Sequence, residues 1–285
     1  MAAYIPKISQ LTPRIIRILG CNPGPMTLQG TNTYLIGTGK RRVLLDVGEK
    51  GNTDYLSSLT SVLEEYDTTI DKVIITHWHR DHIGGLKDVL GCSRGDVKVY
   101  KFPRADAPED SVFASVDHKF LTHKEEIKTE GGTLRVHHTP GHTTDHVVLE
   151  LTEEGILFSG DCILGEGTTV FEDLSSYMAS LKLILDIEPK VIYPGHGPVI
   201  NDPNIHIEQY INHRKKREEQ IIKLLTGKKH MTSMELVTIM YKDTPEHLHL
   251  AAKVNVDHHL QKLLKENIVC FERDRWCLIQ RKNQL

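Results

Sequence analysis

The sequence predicts a layered α/β sandwich in residues 1–204, followed by a small winged-helix-like domain in residues 205–285. Short apolar runs rich in Val, Ile and Leu alternate with amphipathic stretches through the first two-thirds of the chain, which is typical of layered α/β folds. After Pro203 the pattern changes to charged helices and one short hairpin. Hydrophobic residues make up 39% and charged residues 26%, which indicates a globular protein and excludes fibrous and disordered classes.

Nine short runs are predicted to be strands because they are rich in Val, Ile and Leu and are bounded by Gly, Pro or Asp. In chain order they are residues 14–19, 33–37, 42–46, 72–76, 97–100, 134–139, 146–151, 155–159 and 191–193. Helices are predicted at 52–65, at about 85–90 and at 174–185, where large apolar residues recur at helical spacing. Strands with interspersed helices favour a sandwich in which helices cover the sheets.

The last third of the chain is predicted to begin with three helices. Residues 207–225 form one charged helix. Thr232 and Glu235 fit a capping box, in which each side chain bonds the other's backbone, and this box opens a second helix. Thr244-Pro245 fits the start of a third helix with proline at its first position.

A hairpin is predicted after the third helix, which ends at Asn267. Residues 268–271 and 276–279 are apolar runs that flank a short charged turn. Three helices and a hairpin resemble a winged-helix domain.

Cysteine usage and hydropathy exclude two further classes. No uninterrupted apolar run approaches the ~18 residues of a membrane-spanning helix, so no membrane partner is expected. The five cysteines are dispersed and never spaced as C-x-x-C. This pattern argues against a disulfide framework or a cysteine zinc ribbon and favours a soluble protein in a reducing, intracellular compartment. The sequence does not indicate an oligomeric state.

Charge is distributed unevenly along the chain. Residues 205–285 carry 15 Lys and Arg against 10 Asp and Glu, a net charge of +5, whereas residues 1–204 carry a net charge of −8. The densest basic cluster is Arg214-Lys215-Lys216-Arg217. It is interpreted either as a surface that faces a polyanion or as the solvated face of a helix, because Glu218 and Glu219 follow at once.

The most informative segment is Thr76-His77-Trp78-His79-Arg80-Asp81-His82, which directly follows an apolar run. Residues i and i+2 point to the same side at a strand end, so His77 and His79 can converge on one ion. Asp81 and His82 follow within a turn and can reach a second ion. Four ligand-type side chains in six positions are difficult to explain as packing, so the segment predicts a metal site.

Three later turns each carry another ligand-type side chain. His142, Asp161 and His196 lie in turns that contain Gly or Pro and that follow predicted strands. Loops at strand ends on a rigid scaffold are common positions for functional sites. The three residues therefore extend the predicted metal site.

Together these motifs resemble the metallo-β-lactamase superfamily, whose signature is H-x-H-x-D-H followed by His, Asp and His, over residues 15–201. The resemblance implies a four-layer αβ/βα sandwich with two zinc ions in a cleft at one edge. It assigns the first zinc to His77, His79 and His142, the second to Asp81, His82 and His196, and the bridging position to Asp161. Asp81 and Asp161 are the carboxylates assigned to catalysis. Imidazole and carboxylate ligands suit zinc, and they also suit Mn or Fe.

Four further residues have less specific assignments. Asp46 matches a carboxylate that supports the ligand loop in this superfamily, and the alternative is an ordinary turn carboxylate. His146 follows His142 by four residues and either supports a ligand or is a buried, hydrogen-bonded histidine. Thr168 and Thr169 lie in a loop next to glycine and either contact substrate phosphate or stabilise a turn.

The predicted metal set indicates hydrolysis without identifying the substrate. Residues 20–34, residues 160–173 and the winged-helix-like tail resemble one compact group of the superfamily. That resemblance implies a zinc-dependent endoribonuclease of the mitochondrial matrix, which hydrolyses phosphodiester bonds of single-stranded RNA by a metal-bound hydroxide and leaves a 5′-phosphate and a 3′-hydroxyl. The basic tail is compatible with a polyanionic substrate.

Two alternatives remain open. A thioester hydrolase of the glyoxalase II type shares the whole ligand set, although such enzymes typically have a third consecutive histidine where this chain has Trp78. Its glutathione site would need basic residues, such as 214–217, to converge on the cleft. The other alternative is a nucleic-acid-binding module whose winged-helix tail acts beside a degenerate hydrolase domain, and the complete set of seven ligand-type residues disfavours it.

Overall fold

The computed structural model describes residues 4–228 and 230–279 and contains two facing sheets. The strands of the first sheet are β1 (Ile8–Thr12), β2 (Ile15–Leu19), β3 (Asn32–Ile36), β4 (Arg41–Leu45), β5 (Thr69–Ile75), β6 (Lys98–Lys101) and β7 (His118–Phe120), and they lie side by side in that order. Strands β1 to β4 are antiparallel neighbours, and β4 to β7 are parallel neighbours. The first sheet therefore changes from antiparallel to parallel at β4.

The strands of the second sheet are β8 (Glu126–Thr129), β9 (Gly132–His138), β10 (Val147–Leu151), β11 (Ile156–Gly160) and β12 (Val191–Pro194), in the order β12-β11-β10-β9-β8. Each of the nine predicted strands is confirmed, with ends that differ by at most three residues. Strands β1, β7 and β8 were not predicted. They are short and largely polar, and many of their side chains reach solvent, so they lack the apolar run that marks the other strands.

Three buried clusters confirm the four-layer sandwich. Between the sheets, residues such as Ile74 of β5 and Leu149 of β10 pack together. The outer face of the first sheet is covered by α1 (Thr53–Glu65) and α3 (Leu86–Cys92), and the four-residue α2 (Arg80–Ile83) precedes α3. The outer face of the second sheet is covered by α4 (Leu174–Ile187) and by the first half of α5 (Pro203–Lys228).

The C-terminal part is confirmed as a winged-helix domain with its own core. It comprises the second half of α5, α6 (Ser233–Met240), α7 (His249–Lys265), β13 (Val269–Glu272) and β14 (Arg275–Leu278). The predicted capping box is present, because Thr232 and Glu235 each bond the other's backbone. Residues 273 and 274 both have positive φ, as a two-residue hairpin turn of type I′ requires.

The prediction that the third helix begins at Thr244-Pro245 was wrong. Pro245 has ψ of 137°, outside the helical region, and precedes a single 3-10 turn, Glu246–Leu248. Helix α7 begins only at His249. A proline that caps a 3-10 turn and a proline at the first position of an α-helix have the same sequence pattern, so the pattern alone did not separate them.

Helix α5 belongs to two cores. Its Ile207 and Tyr210 pack under the second sheet, whereas Ile221 and Leu225 pack in the winged-helix domain. The predicted domain boundary after residue 204 falls inside this helix and stays a prediction. Three of the basic residues counted in the tail, Lys229, Arg281 and Lys282, lie outside the described residues. Among the helices in the described ranges, none is long and apolar enough to cross a bilayer.

Candidate metal centre

The seven predicted ligands meet at one edge of the sandwich because each follows a strand that ends there. His77, His79, Asp81 and His82 follow β5, and His142 lies in the turn between β9 and β10. Asp161 follows β11, and His196 follows the neighbouring parallel strand β12. Helix α2 turns the chain immediately after His79, so Asp81 and His82 face a different side of the centre from His77.

Three imidazoles form the first group of potential ligands. His77 Nε2 lies 3.0 Å from His79 Nδ1, and His142 Nε2 lies 3.3 Å from His77 Nε2 and 3.1 Å from His79 Nδ1. Nitrogens bound at ~2.0–2.1 Å to one tetrahedral zinc ion would lie about 3.3 Å apart. The three nitrogens are therefore spaced as ligands of a single ion.

The second group consists of Asp81, His82 and His196. Asp81 Oδ2 lies 3.2 Å from both His82 Nε2 and His196 Nε2. The carboxylate of Asp161 lies between the groups, with its oxygens 3.4 Å from His82 Nε2 and 3.3 Å from His196 Nε2. The same carboxylate lies 3.8 Å and 4.0 Å from the Nε2 atoms of His142 and His77.

Hydrogen bonds outside the centre orient three of the rings. His82 Nδ1 donates to Asp46 Oδ2 at 2.7 Å, and His142 Nδ1 donates to the Val170 carbonyl at 2.8 Å. His77 Nδ1 lies 2.9 Å from the Thr76 hydroxyl, which itself donates to Asp46. Because Nδ1 is occupied in each ring, Nε2 keeps its lone pair for the centre.

Unpartnered atoms show that the donor set fits a cation. His82 Nε2 and Asp161 Oδ1 are buried and lack a hydrogen-bond partner, which is rare for buried polar atoms. Imidazole nitrogens and carboxylate oxygens are the donors that zinc accepts. The residues present therefore fit one or more metal ions.

The two groups differ in protonation. Burial lowers the pKa of His77 and His142 below its usual range and lowers that of His79 to about 4, so these rings are neutral. In the second group burial opposes charge, but the neighbouring carboxylates raise the pKa of His196 to about 9. A bound cation would replace the proton that His196 carries next to Asp81 and Asp161.

The other predicted site residues lie beside the centre. His146 accepts a hydrogen bond from the Asp161 backbone N–H at 3.1 Å, and its Nδ1 lies 2.9 Å from the Thr139 hydroxyl. Thr169 is buried, with its hydroxyl 3.2 Å from His142 Nδ1, and Thr168 is exposed at the mouth of the cleft. The structure thus brings every predicted site residue together, and their functional roles remain predictions.

The sequence did not single out the partners of Asp81. The Thr31 hydroxyl donates to Asp81 Oδ2 at 2.8 Å. The Asn22 amide in turn donates to the Thr31 hydroxyl and accepts from the Thr31 backbone N–H. Both residues lie in the 20–34 stretch. A polar residue on a glycine-rich loop has no local pattern that would indicate a contact 50 residues away.

The centre opens into a cleft of about 200 Å³. Two loops, residues 25–28 and residues 164–170, form most of its wall. The lining carries Met26, Leu28 and Val170 together with Thr168 and Glu166. No Lys or Arg is among the lining residues in the described part of the chain.

The basic cluster at 214–217 is not a continuous charged surface. Arg214 is buried and donates to the Thr169 carbonyl at 3.0 Å, and Arg217 lies over the ring of Tyr241. Lys215 and Lys216 are both exposed. Only part of the cluster is therefore available to a polyanion.

Comparisons with known proteins agree with this geometry. Residues 26–196 match the family model of the metallo-beta-lactamase superfamily, and residues 232–276 match a beta-lactamase associated winged helix domain. The compact group that the sequence resembles is beta-lactamase-like protein 2. A homologue of that name from Drosophila melanogaster is 53% identical over 93% of this chain and 92% of its own length.

Two further matches bear on fold and chemistry. An atrochrysone carboxyl ACP thioesterase from Passalora fulva is 38% identical over 94% of this chain and 80% of its own. The crystal structure of a metallo-beta-lactamase family protein from Thermus thermophilus superimposes with a TM-score of 0.73 at 22% identity, covering 95% of this chain and all of that one. On the family match and the identity to these relatives, the chain belongs to the metallo-beta-lactamase superfamily of hydrolases.

Proposed function

We propose that this hydrolase is an endoribonuclease that binds two zinc ions and cleaves single-stranded RNA. The observation that carries the proposal is the meeting of two ligand groups at Asp161, at the base of one cleft. A pair of metal ions in such a site supplies a nucleophile at neutral pH and stabilises both the attacking and the leaving oxygen of an in-line displacement. Phosphodiester hydrolysis is a reaction that uses both contributions.

The chain's own residues would hold and orient the reacting groups. His77, His79 and His142 present neutral nitrogens. Asp81 is fixed by the Thr31 hydroxyl, and Asp161 by the hydrogen bond from its backbone to His146. Thr168 lines the mouth of the cleft, where its hydroxyl would donate to a substrate phosphate oxygen.

Support for RNA comes from the similarity to beta-lactamase-like protein 2 and from residues 205–285, which contain the winged-helix domain and carry a net charge of +5. The proposed location, the mitochondrial matrix, is supported by that similarity alone and is tested by fractionation of cells with an antibody to the chain. Recovery of the chain in the cytosolic fraction would contradict the proposed location.

A second candidate is hydrolysis of a thioester with an apolar acyl group. The cleft lining favours it, because Met26, Leu28 and Val170 are apolar and no basic side chain is among the lining residues of the described ranges. One relative is named as an ACP thioesterase. A glutathione thioester is disfavoured, since Arg214 is buried behind the cleft wall and cannot bind the ligand's carboxylates.

One assay separates the candidates. The zinc-loaded protein is incubated with end-labelled single-stranded RNA, with the matching DNA and with a medium-chain acyl thioester of N-acetylcysteamine. RNA cleavage with 5′-phosphate ends, lost in Asp161→Ala and after chelation, supports the proposal. Thioester turnover without RNA cleavage supports the second candidate. RNA cleavage that persists in both controls would refute the metal mechanism, and absence of bound zinc would favour the nucleic-acid-binding module.

A further inference from the structure

The wall of the cleft formed by residues 164–170, called here the 164–170 loop, contacts both ligand groups. At its start, the Gly165 N–H donates to the His196 carbonyl at 2.9 Å. At its end, the Val170 carbonyl accepts from His142 Nδ1 at 2.8 Å. A displacement of this loop would therefore move or release a ligand in each group.

Helix α5 presents three polar side chains to this loop. His206, Tyr210 and Arg214 are spaced by four residues and lie on one face of the helix. His206 Nε2 lies 3.0 Å from the Leu164 carbonyl. The Tyr210 hydroxyl accepts from the Leu164 N–H at 3.2 Å and donates to the Gly167 carbonyl at 2.9 Å.

Arg214 completes the contact at the far end of the loop. Its guanidinium donates to the Thr169 carbonyl at 3.0 Å, one residue before the carbonyl that accepts from His142. The same guanidinium lies 4.9 Å from the centre of the Phe171 ring. Arg214 and Tyr210 are both buried, so these hydrogen bonds are shielded from water.

The same helix continues into the winged-helix domain. Glu218, one turn after Arg214, forms an ion pair with Lys262 of α7 at 3.0 Å. Helix α7 also contacts the segment that follows the 164–170 loop. Its Lys265 forms an ion pair with Asp173, and its His258 ring packs against the Phe171 ring. The winged-helix domain thus packs, through α7, against the segment that directly follows the wall of the cleft.

We propose that Tyr210 and Arg214 are positioning residues, which hold the 164–170 loop and, through the Val170 carbonyl, fix the ring of His142 for metal binding. Helix α5, which continues into the winged-helix domain, then contributes to the geometry of the metal centre in addition to any contact of that domain with substrate. This inference rests on the metal-binding part of the proposed function and is independent of the identity of the substrate.

The test measures metal binding by the full-length chain without substrate. Tyr210→Phe removes only the hydroxyl, Arg214→Met removes the charge, and Arg214→Lys restores a donor. Lys215→Met, at an exposed position of the same helix, is the matched control. Zinc affinity is measured by competition with a chelating dye, and the visible absorption of Co²⁺-loaded protein reports the ligand geometry.

Loss of a partner that orients a ligand typically costs roughly 10- to 100-fold in metal affinity. We expect about a tenfold or greater loss in Arg214→Met, a smaller loss in Tyr210→Phe, partial recovery in Arg214→Lys and no change in Lys215→Met. The Co²⁺ spectrum should change in the first two variants. With a substrate that the wild-type chain hydrolyses, the kcat of these two variants should fall more than their KM rises, because the defect lies at the metal and not in substrate contact.

Other outcomes would overturn the inference. Unaltered zinc affinity and Co²⁺ spectrum in folded Tyr210→Phe would show that the loop does not need this contact. A lower unfolding temperature without change at the metal would show that both residues are merely structural. If the wild-type chain binds metal but cleaves no RNA, only the proposed function fails, and if it binds no metal, both fail.

Discussion

Asp46→Asn should reduce the free energy of zinc binding by more than it reduces the free energy of unfolding of the metal-free chain. Asp46 is buried, and its carboxylate accepts three hydrogen bonds: from the Thr76 N–H at 2.8 Å, the Thr76 hydroxyl at 2.9 Å and His82 Nδ1 at 2.7 Å. It lies at φ of 59°, in the left-handed region. Asparagine tolerates that backbone conformation, so the substitution keeps the chain path.

The substitution reverses ring tautomers in both ligand groups. The Thr76 N–H is an obligatory donor, so the oxygen of the introduced amide must face it and the amide NH₂ must take the place of Oδ2. The NH₂ then donates to His82 Nδ1, whose proton moves to Nε2 and occupies the lone pair that faces the centre. The same change reaches His77 through the Thr76 hydroxyl.

The expected magnitude follows from the number of contacts. Loss of a partner that orients a ligand costs roughly 10- to 100-fold in metal affinity, and two rings are affected here, so we expect the upper end of that range. Replacing a charged acceptor by a neutral one costs about 1–2 kcal/mol of stability in the metal-free chain.

The assay is zinc affinity by chelator competition together with urea unfolding of the metal-free chain. Asp88→Asn is the control, since Asp88 is an aspartate whose hydrogen bond, from the Gly51 N–H, is exposed. Zinc affinity of Asp46→Asn within about twofold of wild type would refute the tautomer reasoning.

Three further predictions concern the bridging carboxylate, the loop glycine and acid stability. Asp161→Ala should lower the zinc content of both groups, measured by mass spectrometry of the metal, because its oxygens lie within 4.0 Å of imidazoles in each; loss confined to one group would contradict a bridging role. Gly165→Ala should destabilise the chain by about 1–3 kcal/mol in urea unfolding, since the added Cβ would lie 2.0 Å from the Pro198 carbonyl oxygen, whereas Gly91→Ala, where the Cβ meets nothing within 4 Å, should not destabilise. The Arg104 guanidinium holds the pKa of Asp106 well below its usual range. The ionised Asp106 carboxylate therefore contributes its full stabilisation above pH about 4, and this stabilisation is lost as the pH falls. The difference in unfolding free energy between wild type and Asp106→Asn should narrow below that pH. A difference that widens on acidification would contradict this prediction.

Local patterns predicted much of the fold. Strands whose two faces are both buried, such as β4, β5 and β11, were predictable because burial on both faces demands continuous apolar runs. The capping box at Thr232 was predictable because both of its partners lie within four residues. Edge strands such as β7 and β8 were not, because they are defined by the neighbour they pair with and not by their own composition.

The same division applies to the candidate site. The sequence by itself determined which side chains can serve as ligands, since His77, His79, Asp81 and His82 are neighbours in the chain and each later ligand occupies a turn after a strand. Only the tertiary structure decided how those ligands are held: Thr31 on Asp81, Asp46 on His82, and Arg214 buried behind the cleft wall instead of exposed with Lys215. The physical reason is that a ligand's identity is a property of one residue, whereas its orientation and protonation depend on hydrogen bonds from segments tens of residues away, which come together only when the two sheets and α5 pack.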